Sequence, residues 1–356
     1  MNILVEAGDL NPPFVEGTRN IVLTHIKELI KRGHQITILT KKKEGHTQKK
    51  FDSFELRDGI KIYRWSNYLD LFFTLRKIKS REKIEIIHSF AKGLRPAVYL
   101  KFLRKNFNCP IILSILGFPF VEYKKSSFKS VLKEITLLTI SSKTVFNYLK
   151  AIEKSPKINY VPYGIDTDRF KPEKKDKLII YLRIPDTSLI NAFRRFHKEN
   201  PNYKLILDKN ATISFAKEIS SKIVQEKIKG IEYIEFLEDI SQLFNKSETL
   251  IEIHPKGNFI PCASPPLQVL EAMSSGTKII ASDVPEINEF IKNNQNGLLL
   301  EYNNEKEIYT KLKGSIKIKD TLVKNARKTI LTQFNLKEQT NIFEKIYRDL
   351  IQKNNL

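Results

Sequence analysis

Residues 1–40 read MNILVEAGDLNPPFVEGTRNIVLTHIKELIKRGHQITILT, and this stretch indicates the fold. A short apolar run at 2–7 is followed by a loop with two consecutive prolines, and the apolar residues between 22 and 30 then recur at helical spacing. A second apolar run at 35–40 predicts another strand. This order is typical of a doubly wound parallel sheet, in which ligands bind at the carboxyl ends of the strands.

The same alternation continues along the chain and predicts an α/β protein. In the first half, further strands are expected at residues 84–88, 110–115, 137–141 and 158–161. In the second half, strands are expected at residues 178–182, 203–207, 231–236, 249–253, 278–281 and 297–300, with helices between them, one of them at 215–227 and one around Glu271. Both halves are therefore interpreted as Rossmann-like.

A stretch rich in turn formers and charge predicts the domain boundary near residues 172–177. This places an N-terminal domain at 1–172 and a C-terminal domain at 178–334. Residues 335–356 are expected to form an amphipathic helix that packs back on the N-terminal domain, with an apolar stripe. The stripe comprises Ile342, Ile346 and Leu350, with Tyr347 beside it.

The composition narrows the class of protein. The chain of 356 residues is 41% hydrophobic and 28% charged, which favours two folded domains over extensive disorder. No basic region precedes the first apolar run, and no segment approaches the roughly 18 apolar residues of a membrane span. A cytoplasmic protein is therefore expected. Cys109 and Cys262 lack metal-ligand spacing and are interpreted as small buried residues.

The net charge of +21 raises the question of an anionic partner. Two basic stretches, at residues 76–83 and 124–133, are predicted on helices and suggest contact with an anionic membrane surface at its inner face. Phe128, Val131 and Leu132 lie among the lysines of the second stretch and would supply its apolar side. The alternative is a general abundance of lysine with no specific partner.

Several blocks occur in an order and spacing that is more specific than any one of them. They are the loop glycine Gly17, LTHIKELIKRGHQITILT at 23–40, YVPYGIDTDRFKP at 160–172, SPPLQVLEAMSSGTKIIASDVPEINEFI at 264–291 and NGLLLEY at 296–302. With these blocks, nearly the whole chain resembles the GT-B retaining glycosyltransferases, especially glycosyl transferase group 1 (family 4). The resemblance implies two facing Rossmann-like domains with an interdomain cleft that binds a nucleotide-sugar.

The resemblance implies that Glu271, in the LEAM block, accepts hydrogen bonds from the ribose hydroxyls of the donor. A carboxylate suits two vicinal hydroxyls, because charge-assisted hydrogen bonds shielded from water contribute about 1.5–3 kcal/mol each. The alternative is a solvent-facing glutamate in the first turns of a helix, stabilised by the helix dipole.

The diphosphate of the donor is expected at the start of the same helix. Ser264 precedes the helix, and the free backbone N–H groups around Leu267, Gln268 and Val269 suit an anion. Arg183 follows a predicted strand at the place where the family carries an arginine for the diphosphate, although a surface arginine is the alternative.

Two residues of the N-terminal half complete the predicted site. Gly17 would let the backbone approach the diphosphate or the sugar, with an ordinary turn glycine as the alternative. His88, at the end of a predicted strand, is placed with Arg183 and Glu271 in the catalytic set as a residue that lines the cleft. A histidine satisfied within the core is the alternative.

Three departures from the family pattern concern catalysis. Ala263 stands where the first glutamate of a pair is usual, Leu116 stands where a histidine is usual, and the lysine that normally follows the arginine is absent. Lys209 or another basic residue would have to replace the charge of that lysine. These departures motivate an alternative function, that of a non-catalytic nucleotide-sugar-binding protein or partner subunit.

No metal and no cofactor are expected. Asp166 and Asp168 have DxD spacing, but they lie in the GIDTDRF block, which is not a metal site in the family. The leaving diphosphate would instead be stabilised by helix N-termini and cations such as Arg183.

The expected function is transfer of a sugar, with retention of configuration, from a UDP- or GDP-linked donor to a hydroxyl of a lipid-linked or polysaccharide acceptor. A nucleic-acid partner is not expected, because no reader motif accompanies the basic charge.

Overall fold

The structure is a computed structural model that describes residues 1–8, 10–11, 17–43, 49–91, 93, 96–116, 125–183, 185–209, 228–234, 237, 239–254, 265–318 and 320–355. The chain divides into two compact units. Unit 1 comprises Met1–Gly164, Ile260–Pro265 and Leu336–Leu356, and unit 2 comprises Ile165–Phe259 and Pro266–Asn335.

Unit 1 contains a single large sheet. Its strands are β1 (Asn2–Ala7), β2 (Gln35–Lys41), β3 (Phe54–Arg57), β4 (Ile60–Trp65), β5 (Ile86–Ala91), β6 (Ile111–Ile115), β7 (Leu137–Ile140) and β8 (Ile158–Tyr160). The eight strands have the order β3-β4-β2-β1-β5-β6-β7-β8, and only β3 is antiparallel to its neighbour. The central strands are buried along their length because helices cover both faces of a parallel sheet.

The helices of unit 1 alternate with these strands. They are α1 (Gly17–Lys31), α2 (Tyr68–Arg81), α3 (Ala97–Asn106), α4 (Lys125–Glu134), α5 (Lys143–Ile152) and the C-terminal helix, labelled α12 (Leu336–Asn355). Side-chain caps begin α2 and α5. Asn67 accepts a hydrogen bond from the backbone N–H of Asp70 at the start of α2, and Ser142 accepts one from Val145 at the start of α5.

The hairpin of β3 and β4 was not predicted from the sequence. Asp58 and Gly59 connect the two strands with φ angles of 50° and 79°. Positive φ at both central residues is the conformation of a type I′ turn, for which Asp-Gly is a favoured pair. The Asp-Gly pair was the sequence signal for the hairpin, but the interpretation as alternating strands and helices did not use it.

The apolar side of α4 corrects the membrane interpretation of residues 124–133. Phe128, Val131 and Leu132 are 4%, 2% and 7% exposed and belong to the hydrophobic core of unit 1. They are therefore not available to a membrane. Their helical spacing reflects packing against the neighbouring elements, among which α3 contacts α4.

Unit 2 contains a second parallel sheet. Its strands are β9 (Asp176–Tyr181), β10 (Lys204–Asp208), β11 (Ile231–Ile234), β12 (Ser247–Glu252), β13 (Lys278–Ser282) and β14 (Leu298–Leu300). The described helices are α6 (Thr187–Glu199), α7 (Ser241–Lys246), α8 (Leu267–Ser274), α9 (Pro285–Asn288), α10 (Glu305–Ile316) and α11 (Asp320–Gln333). The strand order is β11-β10-β9-β12-β13-β14. The helix predicted at 215–227 lies outside the described residues. Two α/β units with largely parallel sheets confirm the predicted fold class.

The C-terminal helix α12 packs in unit 1 through a different stripe from the predicted one. Phe343 and Tyr347 are buried, at 3% and 0% exposure, whereas Ile342 is 40% exposed and Ile346 and Leu350 are half-buried. The buried stripe is therefore centred on Phe343 and Tyr347, of which the prediction named Tyr347, and Ile342 lies outside it. Hydropathy favoured the isoleucines, but the structure buries the two aromatic rings, and the Tyr347 hydroxyl has polar partners in the core.

Those partners are two histidines. The Tyr347 hydroxyl lies 2.6 Å from His88 Nδ1 and 3.1 Å from His25 Nε2. His88 Nε2 lies 2.6 Å from the Ser114 hydroxyl, which in turn lies 2.5 Å from that of Thr139. This chain of hydrogen bonds joins α12 to α1 and to the strands β5, β6 and β7.

Replacing Tyr347 by phenylalanine keeps the ring but removes the shared hydroxyl. We expect Tyr347→Phe to lower the free energy of unfolding by about 1–3 kcal/mol, because His88 Nδ1 would lose its partner where water does not reach it. Urea titration followed by circular dichroism measures the change. The matched control is Tyr148→Phe in α5, at a side chain that is 53% exposed. Equal stability of the two variants would contradict a structural role for the hydroxyl.

Candidate functional site

The strand order of unit 2 marks a site at the carboxyl ends of β9 and β12. β9 pairs with β10 on one side and with β12 on the other, so the sheet reverses its winding direction there. Such a switch point leaves a crevice outside the carboxyl ends of the strands, where ligands bind. Arg183 follows β9, and Glu252 is the last residue of β12.

Glu252 is a fully buried carboxylate with several donors around it. Its Oε1 lies 2.5 Å from Arg183 Nε and 3.2 Å from His254 Nε2, and its Oε2 accepts a hydrogen bond from the Gln268 amide. Burial alone would raise the pKa of Glu252, but attraction by the Arg183 guanidinium, together with His254 and Gln268, holds it below its usual value. The carboxylate is therefore ionised at neutral pH.

The start of α8 provides fewer free amides than the sequence suggested. Pro266 is the N-cap residue, and the backbone N–H of Val269 donates to the Pro266 carbonyl at 3.1 Å. The assignment of Val269 as a free donor is therefore wrong, because the first turn is tightened into an i to i−3 hydrogen bond. Leu267 and Gln268 are the first two helical residues, whose amides have no acceptor within the helix. Ser264 lies outside the described residues, as does Ala263.

The opposite end of α8 is held by cations. Lys175 Nζ donates to the Ser275 carbonyl at 2.8 Å, and the Arg327 guanidinium donates to the Ser274 carbonyl. Burial lowers the pKa of Lys175 to about 8. Positive charge at a helix C-terminus is favourable, so these contacts fix the position of the helix.

Glu271 lies in the middle of α8 and is 8% exposed. Within the described part of the chain, its carboxyl group accepts no hydrogen bond. Burial raises its pKa to about 8, with Arg169 opposing the shift and Asp239 adding to it. The carboxyl group is therefore largely protonated at neutral pH in the absence of a ligand. The alternative of a solvent-facing glutamate does not fit this burial.

An ion pair lies near enough to Glu271 to influence its pKa. The Arg169 guanidinium donates to Asp239 Oδ1 from Nε at 3.1 Å and from Nη2 at 2.7 Å. Ser241 donates to the same oxygen from its backbone N–H and its hydroxyl. Arg169 is thereby fixed as the cation whose charge reaches Glu271.

His88 does not belong to the site. It is completely buried in unit 1, both ring nitrogens have hydrogen-bond partners, and its ring stacks on Phe90 with centroids 3.9 Å apart. Burial, together with the nearby His25, lowers its pKa well below the usual value. Its assignment to the catalytic set is therefore wrong, because a neutral histidine enclosed in the core cannot touch a substrate.

The structure also describes Gly17, Leu116 and Asp166, which the sequence analysis singled out. Gly17 is the first residue of α1 and is exposed. Leu116 follows β6, is 6% exposed and lines a small cavity in unit 1 with Ser114 and His25. Asp166 accepts hydrogen bonds at 3.1 Å from the backbone N–H groups of Asp168 and Arg169, so this carboxylate stabilises a turn. Among the described residues, no group of potential ligands could hold a metal ion.

Sequence reasoning missed Glu252, His254 and Arg169. A signal for Glu252 was present, since a charged residue near the end of the apolar strand TLIEIH needs a partner when the sheet is buried on both faces. Arg169 lies in the quoted block at 160–172, but its electrostatic effect on Glu271 depends on the fold.

Two family models match most of the chain between them. The model for glycosyl transferases group 1 matches residues 165–329, and the model for glycosyltransferase family 4 matches residues 15–169. The first match covers the described site of unit 2, and the second covers most of unit 1.

Similar proteins include a curated relative and several solved structures. The UDP-Gal:alpha-D-GlcNAc-diphosphoundecaprenol alpha-1,3-galactosyltransferase of Escherichia coli is 22% identical over 78% of this chain and 79% of its own length. Anabaena HepE in complex with UDP-glucose has a TM-score of 0.73 at 14% identity, covering 98% of this chain and 100% of that one. Sucrose-phosphate synthase from Thermosynechococcus elongatus has a TM-score of 0.71 at 15% identity, covering 99% of each chain. The structural matches confirm the predicted GT-B fold.

The raised pKa of Glu271 predicts a pH-dependent stability. Its folded-state pKa of about 8 lies above the ordinary value of 4.5, so the folded protein keeps a proton that the unfolded chain releases. The contribution of Glu271 to the free energy of unfolding should therefore fall as the pH rises from about 4.5 to about 8. Glu271→Gln, which resembles the protonated form, should match the wild type near pH 4.5 and exceed its melting temperature at pH 8.

Scanning calorimetry across this pH range measures the difference. The matched control is Glu305→Gln in α10, which makes the same chemical change at an exposed position outside the core. A Glu271→Gln curve parallel to that of the wild type would show that Glu271 is ionised throughout.

Proposed function

This chain belongs to the glycosyl transferases group 1, and we propose that it transfers a sugar, with retention of configuration, from a UDP- or GDP-linked donor to a hydroxyl of a lipid-linked or polysaccharide acceptor. The family and the curated relative identify the chain as an enzyme of the hexosyltransferase type. They favour this function over the alternative of a non-catalytic partner subunit. Retention rests on the family resemblance.

The observation that carries the proposal is the state of Glu271. A buried carboxyl group without a hydrogen-bond donor from the described residues is costly, and such groups in native proteins usually serve a function. Vicinal ribose hydroxyls would supply two donors to it. Because they favour the ionised form, binding of the donor should release the proton that Glu271 holds.

The donor diphosphate has a place at the start of α8. The amides of Leu267 and Gln268 lie in the first helical turn, and the positive end of the helix dipole favours an anion there. Arg183 is 40% exposed beside Glu252 and would bind the same diphosphate. In the reaction these groups would stabilise the negative charge that develops on the leaving nucleoside diphosphate.

The similar proteins favour a uridine donor as the first to be tested. The Escherichia coli relative is named for UDP-Gal and a diphosphoundecaprenol acceptor, and the HepE structure contains UDP-glucose. In our proposal the C-terminal domain, residues 178–334, holds the donor, and the N-terminal domain, residues 1–172, shapes the acceptor side. The helix at 335–356 completes the N-terminal domain.

Glu271→Ala tests the donor site. We expect it to weaken binding of the donor nucleotide by about 1.5–3 kcal/mol, because the ribose hydroxyls would lose their acceptor. Calorimetric titration with UDP and GDP measures the affinity, and the exposed Glu305→Ala is the control expected to bind as the wild type does. Unchanged affinity in Glu271→Ala would remove this residue from the site.

Turnover tests the activity itself. The wild-type protein is incubated with UDP- and GDP-sugars and with lipid-linked or polysaccharide acceptors, and released nucleoside diphosphate is measured. Nuclear magnetic resonance of the product then reports the anomeric configuration. Tight nucleotide binding with no turnover across the acceptors would favour the partner-subunit alternative.

We also propose that the protein is a cytoplasmic enzyme that binds the inner face of an anionic membrane through α2 and α3. None of the helices in the described residues is long and apolar enough to cross a bilayer. Leu69 and Phe73 on α2 and Val98 on α3 are 68%, 59% and 53% exposed. The rings of Tyr68 and Phe102, 6.1 Å apart, connect the two helices. We call Leu69, Phe73 and Val98 the α2–α3 surface.

Basic side chains accompany this apolar surface. Arg76 and Lys79 are exposed on α2, and the Arg76 guanidinium lies 4.7 Å from the centroid of the Phe72 ring. Lys101, Arg104 and Lys105 are exposed on α3. Apolar side chains that enter the headgroup region, with cations around them, are the chemistry that binds anionic lipid surfaces. Exposed apolar side chains therefore lie beside the basic stretch at residues 76–83. At residues 124–133, in contrast, Phe128, Val131 and Leu132 are buried.

Vesicle sedimentation tests the α2–α3 surface. The wild type should bind vesicles containing phosphatidylglycerol, bind phosphatidylcholine vesicles weakly, and lose binding as salt rises. Leu69→Ser with Phe73→Ser should reduce binding, since less apolar area would enter the bilayer. Leu331→Ser, at a 42% exposed position on α11, is the control. Equal binding by both variants would exclude this surface.

A further inference from the structure

We propose that Glu252 is the positioning residue of the donor site and acts through Arg183, so that it serves the chemical step more than the binding of the nucleotide. This inference rests on the proposed function and extends it to a residue for which the family blocks provide no role. Glu252 itself would not touch the donor.

The geometry connects the three elements that form the switch point. Through one carboxylate, Glu252 at the end of β12 contacts Arg183 after β9 and Gln268 in the first turn of α8. The side chain of Glu252 is 0% exposed, whereas that of Arg183 is 40% exposed. The carboxylate thus binds the inner part of the guanidinium and leaves its outer part toward solvent.

Glu252 binds the Nε atom of Arg183, and this choice of atom determines which part of the guanidinium a ligand can reach. The hydrogen bond at 2.5 Å engages Nε of Arg183, which fixes the plane of the guanidinium and leaves the Nη1 and Nη2 groups for a ligand. An arginine held in this way loses less rotamer entropy when it binds a diphosphate, because its orientation is already set. Gln268 donates to the other oxygen, so the amides at the start of α8 are fixed relative to the same arginine.

A buried carboxylate near a diphosphate site requires an explanation, because its charge repels the ligand. A buried ion pair contributes little net stability compared with well-packed apolar residues of similar volume, so stability alone does not explain Glu252. The repulsion weakens binding of the ground state, whereas correct placement of Arg183 becomes more valuable as charge grows on the leaving diphosphate. Removing the charge of Glu252 should therefore affect kcat and the affinity for UDP differently.

Two measurements on Glu252→Gln test the proposal. We expect kcat to fall by at least about tenfold while the dissociation constant for UDP stays the same or decreases. Glu248→Gln is the matched control, since Glu248 is on the same strand, pairs with Lys278 at 2.8 Å and lies at the opposite end of β12. It should leave kcat unchanged.

A double-mutant cycle separates positioning from a general loss of structure. In an Arg183→Ala background, Glu252→Gln should cause no further fall in kcat, because the residue through which it acts is gone. Independent, multiplying effects of the two substitutions would overturn the proposal. An increase in KM at unchanged kcat in the single variant would also overturn it.

Nuclear magnetic resonance of the arginine side chains tests the contact without turnover. In the wild type, the Nε–H signal of Arg183, assigned with Arg183→Lys, should be protected from exchange with solvent, and Glu252→Gln should abolish the protection. Fast exchange in the wild type would overturn the proposal whatever the activity. A wild type that shows this protection but binds no nucleotide would instead refute the proposed function.

Discussion

Parallel strands must be covered on both faces, and this constraint determines the rest of the structure. Helices connect the parallel strands and cover both faces of the sheet. Because both faces are covered, the side chains of these strands form nearly continuous apolar runs. Polar residues inside the strands therefore need partners in the core, as His88 and Ser114 have in unit 1. In unit 2 they collect at the carboxyl ends, where Glu252, His254 and Ser282 follow or end neighbouring strands.

Two buried glutamates of unit 2 illustrate how surroundings decide the chemistry of one residue type. Glu252 has Arg183, His254 and Gln268 around it, and its pKa lies below the usual value. Glu271 has no comparable donors in the described part of the chain, and burial raises its pKa to about 8. One carboxylate therefore holds a cation, and in our proposal the other receives hydroxyl donors from a ligand.

Unit 1 uses buried polar groups for a structural purpose. His25, His88 and Tyr347 form hydrogen bonds that connect the C-terminal helix to the sheet, and Ser114 extends them to Thr139. Both nitrogens of His88 are occupied, and His88 lies inside β5 and not at the strand end that the sequence predicted, so it is a core residue and not a catalytic one. On the surface of unit 1, α2 exposes the apolar side chains of Leu69 and Phe73 beside the basic residues of α2 and α3.

The sequence by itself determined the α/β class, most strands and the helix that carries Glu271, because apolar periodicity and block spacing are local properties. It did not determine burial or partners. The hydropathy of residues 342–350 could not show that Tyr347 meets His88, and the lysines around Phe128 could not show that its ring enters the core. Only the tertiary structure decided these points and brought Arg183 to Glu252, since residues 69 positions apart meet only when their strands pair.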